Sequence, residues 1–139
     1  MTFQDIDRLL FSWGYFLNRA EYQNFKEYLE EMLRRKRVMF IWDNNTIQAV
    51  ITFFLTDNWE TFLHKGLWEI RDDNPEGCQI FIDKMICKQW TLKLRRALQE
   101  AIELNFNVSE GHYYHAPLGP HVTIKRRSKH HEHTNLIGC

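Results

Sequence analysis

Five basic side chains follow one another along the middle of the chain without an intervening acid. They are Lys84, Lys88, Lys93, Arg95 and Arg96. The first two lie at the end of a segment with strand character, and the others lie in a segment with helical character. A helix N-terminus presents free backbone N–H groups and the positive end of the helix dipole. This order of residues therefore indicates an anion-binding site, with a solvated basic helix face as the alternative.

A second group of reactive side chains is the run His112-Tyr113-Tyr114-His115. Histidine exchanges protons near neutral pH and tyrosine can donate one, so the run has the residue types for acid–base catalysis. Tyrosine and histidine also commonly lie half-buried, as aromatic packing with a polar tip. Both interpretations stay open at this point.

The elements that position these residues can be predicted from hydrophobic periodicity. Apolar residues spaced by three and four predict helices over residues 2–18, 20–35 and 91–104. Short apolar runs predict a hairpin of strands 38–42 and 46–56, joined by an Asp-Asn-Asn turn. Residues 57–75 predict only an amphipathic turn near Trp59 and Phe62 and a short strand at 67–70.

Residues 79–87 form the clearest predicted strand, because they are apolar almost throughout. We expect this strand in the middle of a sheet, followed at once by the helix 91–104. Further strands are predicted at 106–109, at 112–115 and, after a Pro-Leu-Gly-Pro turn, at 121–125. The order of elements predicts an α/β (α+β) fold with helices on both sides of one mixed sheet.

Length and composition limit the classes of protein. The chain has 139 residues, 18 basic and 18 acidic side chains and 44% hydrophobic residues, which is too apolar for a disordered protein. Residues 1–127 are predicted to form one domain, and 128–139 a flexible basic and His-rich tail. The spacing of His130, His131, His133 and Cys139 matches no closed zinc-site pattern, so no metal is predicted.

Location and partners follow from the same patterns. No apolar run approaches the roughly 18 residues of a membrane span, and the start Met-Thr-Phe-Gln-Asp lacks the order of a secretory signal. We therefore expect a cytoplasmic protein without a membrane partner. The basic runs 34–37 and 125–129 leave nucleic-acid contact open, but balanced charge does not favour it.

The order of elements resembles the GNAT superfamily of acyl-CoA N-acyltransferases. The resemblance lies in residues 38–55 and 80–104, where Phe-Ile-Asp-Lys-Met-Ile precedes a helix containing Arg-Ala-Leu-Gln-Glu-Ala-Ile. In that family two N-terminal helices precede an antiparallel meander, and a central strand leads into the helix that holds the cofactor pyrophosphate. The resemblance implies a GNAT-like mixed sheet with a central strand-helix unit.

The resemblance also implies an activity, which is acetyl-CoA-dependent N-acetylation. The proton donor to the leaving thiolate would be Tyr113 or Tyr114, since the family often has a tyrosine after its penultimate strand. The base would be Glu69, Asp83 or one of the histidines His112 and His115. The cofactor would be held by Met85, Ile86, Cys87, Lys88, Lys93, Arg95 and Arg96.

The chain departs from the family in one motif. Family members usually have Arg or Gln, two further residues, Gly, one residue and then Gly or Ala, whereas residues 88–96 contain no glycine. An alternative is therefore a protein of this fold that binds no cofactor and catalyses nothing. Such a protein would bury its many tryptophans against a protein partner or another copy, for instance as a phage-encoded structural or host-interaction protein acting in the host cytoplasm or the virion.

Overall fold

The computed structural model of the protein describes residues 1–15, 17–115 and 119–125, without the side chains of residues 114–125. It contains three helices, α1 (Phe3–Ser12), α2 (Arg19–Arg34) and α3 (Leu92–Asn105). It also contains five strands, β1 (Val38–Asp43), β2 (Thr46–Thr56), β3 (Gln79–Cys87), β4 (Glu110–His115) and β5 (Gly119–Lys125). A single 3₁₀ turn, Trp59–Phe62, follows β2.

The five strands form one mixed sheet in chain order, β1-β2-β3-β4-β5. Neighbouring strands are antiparallel except β3 and β4, which are parallel and are connected through α3. The predicted mixed α+β class is confirmed, and β3 lies in the middle of the sheet as its apolar sequence indicated. A parallel pair needs such a crossover, because a short turn cannot return the chain to the same end.

Helices cover both faces of the sheet. Alternate residues of β2 face opposite layers, so Ile51 and Phe53 pack with Leu98 of α3, whereas Val50 and Phe54 pack under α1 and α2. We call these two layers the α3 layer and the α1/α2 layer. Burial on both sides explains why β2 and β3 are apolar almost throughout rather than alternating.

The first helix is shorter than predicted. Thr2 and Asp5 form a reciprocal capping box at its start, and the helix ends at Ser12 rather than near residue 18. Gly14 has a φ of 78°, a left-handed conformation that stops the helix, and Asn18 then caps α2 through the Glu21 N–H. The apolar spacing continued beyond Ser12, so periodicity alone did not reveal this break.

The basic run at the end of α2 is used within the chain. Arg34 and Arg35 both bind Glu31, and Arg37 forms an ion pair with Asp73. Arg35 also donates to the carbonyl of Arg71, at 2.8 Å. The contacts of Arg35 and Arg37 tie the end of α2 to the loop before β3, and the Arg34 pair lies within the helix, so three of the four charges have partners inside the chain.

Two predicted strands are absent from their predicted positions. Residues 67–70 form a turn in which Trp68 and Ile70 pack into the α1/α2 layer, and residues 106–109 form a loop whose Phe106 packs edge-on against Phe53. In both segments apolar side chains are buried by a loop, which imitates the spacing of a strand. The predicted hairpin of β1 and β2 is present, and Asn44 and Asn45 have the positive φ of its tight turn.

Candidate functional site

The junction between β3 and α3 is the first part of the candidate site. Residues 88–91 connect them, and the Thr91 side chain accepts the N–H of Leu94 at 3.1 Å. The Thr91 carbonyl accepts the N–H of Arg95. The backbone N–H groups of Leu92 and Lys93 come before that of Leu94, in the first turn of α3. Amides in the first turn of a helix have no hydrogen-bond acceptor inside that helix.

Strands β3 and β4 separate beside this junction. Their parallel pairing runs from Gln79 with Glu110 to Ile82 with Tyr113, whereas β3 itself continues to Cys87. Within the described part of the chain, no strand pairs with residues 83–87 on this side. We call this separation the fork.

The open edge of β3 at the fork has main-chain groups that no described strand pairs with. The N–H of Lys88 donates to the carbonyl of Gln48, which fixes the alternation of bonds between β2 and β3. In that alternation the N–H and C=O groups of Ile86 point towards β2. Those of Met85 and Cys87 point the other way, towards the open edge. An extended ligand could therefore pair with this edge as a strand does.

A β-bulge lies at the start of the open edge. The register of β2 and β3 shifts between Thr52, paired with Lys84, and Phe53, paired with Ile82, so Asp83 is the extra residue. As a result two consecutive side chains, Asp83 and Lys84, both lie in the α1/α2 layer. A regular strand would have sent one of them to each face.

A buried polar cluster surrounds Asp83. Its carboxylate accepts a hydrogen bond from the Tyr28 hydroxyl and lies 3.2 Å from the Lys65 ammonium. The Tyr28 hydroxyl is also 2.7 Å from that of Thr52. Burial, with help from the charge of Asp83, raises the pKa of Tyr28 well above its ordinary value. Lys65 is further held by the Gly66 carbonyl at 2.9 Å.

Lys84 is the second cation beside this cluster. Its ammonium lies 5.0 Å from the ring centre of Trp68, which is a cation–π contact. Burial lowers the pKa of Lys84, whereas the nearby charge of Asp83 acts in the opposite direction. Asp83 is already paired with Lys65, so the group Asp83, Lys65 and Lys84 carries one uncompensated positive charge.

A cleft of about 380 Å³ opens next to Lys84 on the α1/α2 side of β3. One wall is β3 from Asp83 to Cys87, and the other is formed by residues between α1 and α2, the first turn of α2 and the 67–68 turn. Its lining includes Tyr15, Leu17, Glu21, Leu67 and Trp68. The cleft has the size of a small-molecule site and mostly apolar walls with a few charged groups.

The two carboxylates predicted as bases differ in their surroundings. Asp83 lies in the polar cluster, where Lys65 and Tyr28 occupy its oxygens. Glu69 is exposed, and it accepts the Gly66 N–H at 3.1 Å and lies 3.4 Å from Arg71. The Gly66 bond, with Arg71, lowers the pKa of Glu69. A carboxylate with a lowered pKa is a weaker proton acceptor.

The structure separates Tyr113 from Asp83. Tyr113 is half-buried and packs into the α3 layer, on the opposite face of the sheet from Asp83. It is nevertheless the last β4 residue paired with β3, so it lies at the fork. The side chains of Tyr114 and His115 lie outside the described part of the structure.

His112 matches the packing interpretation of its run. It is buried and stacks on Trp59, with ring centres 4.0 Å apart and planes only 8° from parallel. Its Nε2 is 3.1 Å from Glu110, and its Nδ1 has no hydrogen-bond partner within the described residues. It lies on β4, opposite Phe81, before the strands separate.

The residues predicted to hold a cofactor are distributed around the fork. Met85 and Cys87 face the α3 layer, and Ile86 faces the α1/α2 layer. Burial raises the pKa of the Cys87 thiol, which disfavours a nucleophilic thiolate. On α3, Lys93 binds Asp43 at 2.9 Å, and Arg95 and Arg96 are exposed.

Three members of the polar cluster were not predicted from the sequence. Tyr28 lies on the apolar stripe of α2, Thr52 lies inside an apolar strand, and Lys65 lies in the segment with the least regular pattern. The one available signal was the charged pair Asp83-Lys84 inside an otherwise apolar strand, because buried charges need partners.

Comparison of the chain with known protein families, curated proteins and solved structures finds no match. None of the described helices combines the length and the apolar character that crossing a membrane requires. Among the described residues, no three His, Cys, Asp or Glu side chains converge in a way that would hold a metal ion.

Proposed function

We propose that this chain is a divergent GNAT-like protein that binds an acyl-CoA at the fork and transfers its acetyl group to an amine. The observation that supports this proposal best is the separation of β3 from β4 after Ile82 and Tyr113, immediately before α3. An acyl thioester has a long amide-bearing arm and a charged pyrophosphate. The open edge suits the arm, and the start of α3 suits the pyrophosphate.

Charge supports the same proposal. The side chains of Lys88, Arg95 and Arg96 are exposed around the start of α3. Within the described residues, none of these three forms an ion pair with an acid. A pyrophosphate there would gain the Leu92 and Lys93 amides, the helix dipole and these cations together.

The chemistry assigns a role to Tyr113. Acetyl transfer forms a C–N bond at the thioester carbonyl and breaks the C–S bond, so the departing thiolate takes a proton. Tyr113 lies at the fork, where the thioester would enter, and we assign the donation to its hydroxyl. The amine attacks in its neutral form and passes its surplus proton to water, because Asp83 and Glu69 are both engaged.

A second candidate is an assembly or binding protein of the same fold without catalysis, such as a viral structural or host-interaction protein. It is favoured by the side chains around the start of α3, where family members would have glycine. Trp90 is 44% exposed, Leu92 is 59% exposed and Trp42, on β1, is 56% exposed. Apolar groups of this size at one end of a sheet are typical of a surface that another protein covers.

Titration with acetyl-CoA, followed by thermal unfolding, separates the two candidates. A ligand at one hundred times its dissociation constant stabilises the folded state by about 2.7 kcal/mol. We expect a concentration-dependent rise in melting temperature that weakens in the variant Lys88→Gln/Arg95→Gln. The matched control is Arg8→Gln, which removes an exposed charge from α1, far along the chain from the junction.

No shift with acetyl-CoA would contradict the acyltransferase proposal and leave the assembly candidate. A shift equally large in the double variant would show binding away from the start of α3. For the assembly candidate, light scattering after size exclusion should show self-association that Trp42→Ser/Trp90→Ser abolishes. A strict monomer that captures no partner would count against it.

A further inference from the structure

The cleft beside Trp68 is lined by two charged side chains of opposite sign, Lys84 and Glu21, that have no ion-pair partner in the part of the chain that the structure describes. Lys84 lines its β3 wall and Glu21, on α2, lines the other wall. Within the described residues, neither side chain takes part in an ion pair, although Lys84 contacts the Trp68 ring. The backbone N–H of Glu21 donates to the Asn18 side chain at 2.8 Å, which fixes the start of α2 beside the cleft.

The neighbouring charges compensate Lys84 only in part. The charge of Asp83 acts on Lys84, but the Asp83 carboxylate is shared by Lys65 and the Tyr28 hydroxyl. Lys84 is therefore a cation without an ion pair of its own among the described residues, in a half-buried site where an anion interacts more strongly than at the surface. The indole N–H of Trp68 is buried in the same region and has no acceptor within the described residues.

The remaining walls of the cleft are apolar. Leu17, Leu67 and Ile86 line it, together with the ring of Tyr15. A ligand that matches this lining has an anionic group, a cationic group and an apolar side chain. Its volume must be small, because the cleft measures about 380 Å³.

We propose that this cleft binds a free amino acid with an apolar side chain, its carboxylate at Lys84 and its ammonium group at Glu21. The apolar side chain lies against Leu17 and Leu67. The inference does not depend on acyl transfer, because the charges and the cleft exist whether or not the fork binds an acyl-CoA. It is tested in the absence of any acyl donor.

The probe is L-leucine, compared with two analogues that each lack one charge. These are 3-methylbutylamine, without the carboxylate, and 4-methylpentanoate, without the amine. Calorimetry or thermal unfolding should give leucine an affinity at least about ten-fold higher than either analogue, since a charge-assisted contact contributes that much. No response at about 10 mM leucine, which would reveal even millimolar binding, overturns the proposal.

Two variants assign the charges. In Lys84→Met the affinity for leucine should fall to the affinity that the parent chain has for 3-methylbutylamine. In Glu21→Gln it should fall to the affinity that the parent chain has for 4-methylpentanoate. Arg8→Gln and Glu30→Gln, which remove exposed charges from α1 and α2, are the matched controls and should bind leucine like the parent chain. Leucine binding that survives both cleft substitutions overturns the proposal.

Each cleft variant is first checked for a cooperative melt, and Lys84→Gln replaces Lys84→Met if the latter fails to fold. If leucine binds but acetyl-CoA does not, the amino-acid site stands and the acyltransferase proposal falls. The opposite result leaves the fork as the only ligand site that the experiments support.

Discussion

The ammonium group of Lys65 lies 3.2 Å from the carboxylate of Asp83, and the two side chains are only 2% and 7% exposed. A charge pair at this depth costs free energy to desolvate, and neither partner tolerates the loss of the other. The pair therefore joins the loop after the 3₁₀ turn to the bulge of the central strand. It also fixes the position of Asp83, which lines the cleft.

Lys65→Met should destabilise the fold strongly, because it removes the ion-pair partner of the buried Asp83 carboxylate. We expect a loss of about 3–5 kcal/mol in the free energy of unfolding, measured by urea denaturation. The double variant Lys65→Met/Asp83→Asn should lose clearly less than the sum of the single losses.

The control for this prediction is Lys93→Met, which breaks the exposed pair with Asp43. Exposed pairs contribute about 0–1 kcal/mol, so its denaturation curve should hardly move. Equal losses in Lys65→Met and Lys93→Met would contradict the assignment of a buried pair.

Tyr28→Phe removes the hydroxyl that donates to Asp83 and contacts Thr52. Both partners are buried, so we expect the free energy of unfolding to fall by about 1–3 kcal/mol. Tyr22→Phe is the matched control, since its hydroxyl donates to Asp7 at 2.9 Å in a less buried position. Its effect should be under about 1 kcal/mol, and the reverse order would show that the cluster does not stabilise the fold.

Gly77→Ala should be destabilising, because a Cβ atom at this position would lie 2.6 Å from backbone atoms of Thr56. Backbone cannot move aside as a flexible side chain can, so we expect a loss of about 1–3 kcal/mol by chemical denaturation. In Gly66→Ala the nearest atom would be a Glu69 oxygen at 3.4 Å, an ordinary contact. That control should unfold close to the parent chain, and a larger loss in it would refute the steric explanation.

The pair of arginines at the end of α2 predicts a dependence of stability on acid. Hydrogen bonds from Arg34 and Arg35 lower the pKa of Glu31 from 4.5 to about 2. Because the folded pKa lies below the unfolded one, the stabilisation is complete above pH 4.5 and is lost as the pH falls towards 2. As the pH is lowered from 4.5 towards 2, the melting temperature of Glu31→Gln should therefore fall less than that of the parent chain.

An NMR titration of the Glu31 carboxyl group gives a direct measurement. Arg34 is the largest cause of the shift, so Arg34→Gln should raise the pKa of Glu31 back towards 4.5. An unshifted pKa in the parent chain would contradict the paired geometry at the end of α2.

The general architecture was predictable from sequence because the strongest patterns are local. The strand Gln79–Cys87 and the hairpin of β1 and β2 followed from apolar runs and an Asn-Asn turn. The bulge at Asp83 did not follow, because an extra residue reverses the alternation beyond it and leaves the composition unchanged. Trp68 was misassigned to a strand, since a loop that buries its own apolar residues resembles one.

The candidate sites divide in the same way. The basic residues at the end of β3 and the start of α3 were found because they lie close together in the sequence with no acid between them, and so was the junction that they surround. The cluster of Tyr28, Lys65 and Asp83 joins three distant segments, and only the folded chain brings them together. Only the structure shows that Glu21 lines the cleft, because nothing near it in the sequence distinguishes it from the other acids of α2.

The pairing that joins β4 to β3 is shorter than the pairing that joins β2 to β3. Within the described residues, β4 pairs with β3 from Gln79 to Ile82, whereas β2 pairs with β3 along nearly its whole length. Local opening between β3 and β4 therefore requires the loss of fewer main-chain hydrogen bonds than opening between β2 and β3. Amide protons of Glu110–Tyr113 should therefore exchange with heavy water sooner than those of β2. A molecule bound between β3 and β4 would displace the hairpin of β4 and β5 before it affected the rest of the sheet.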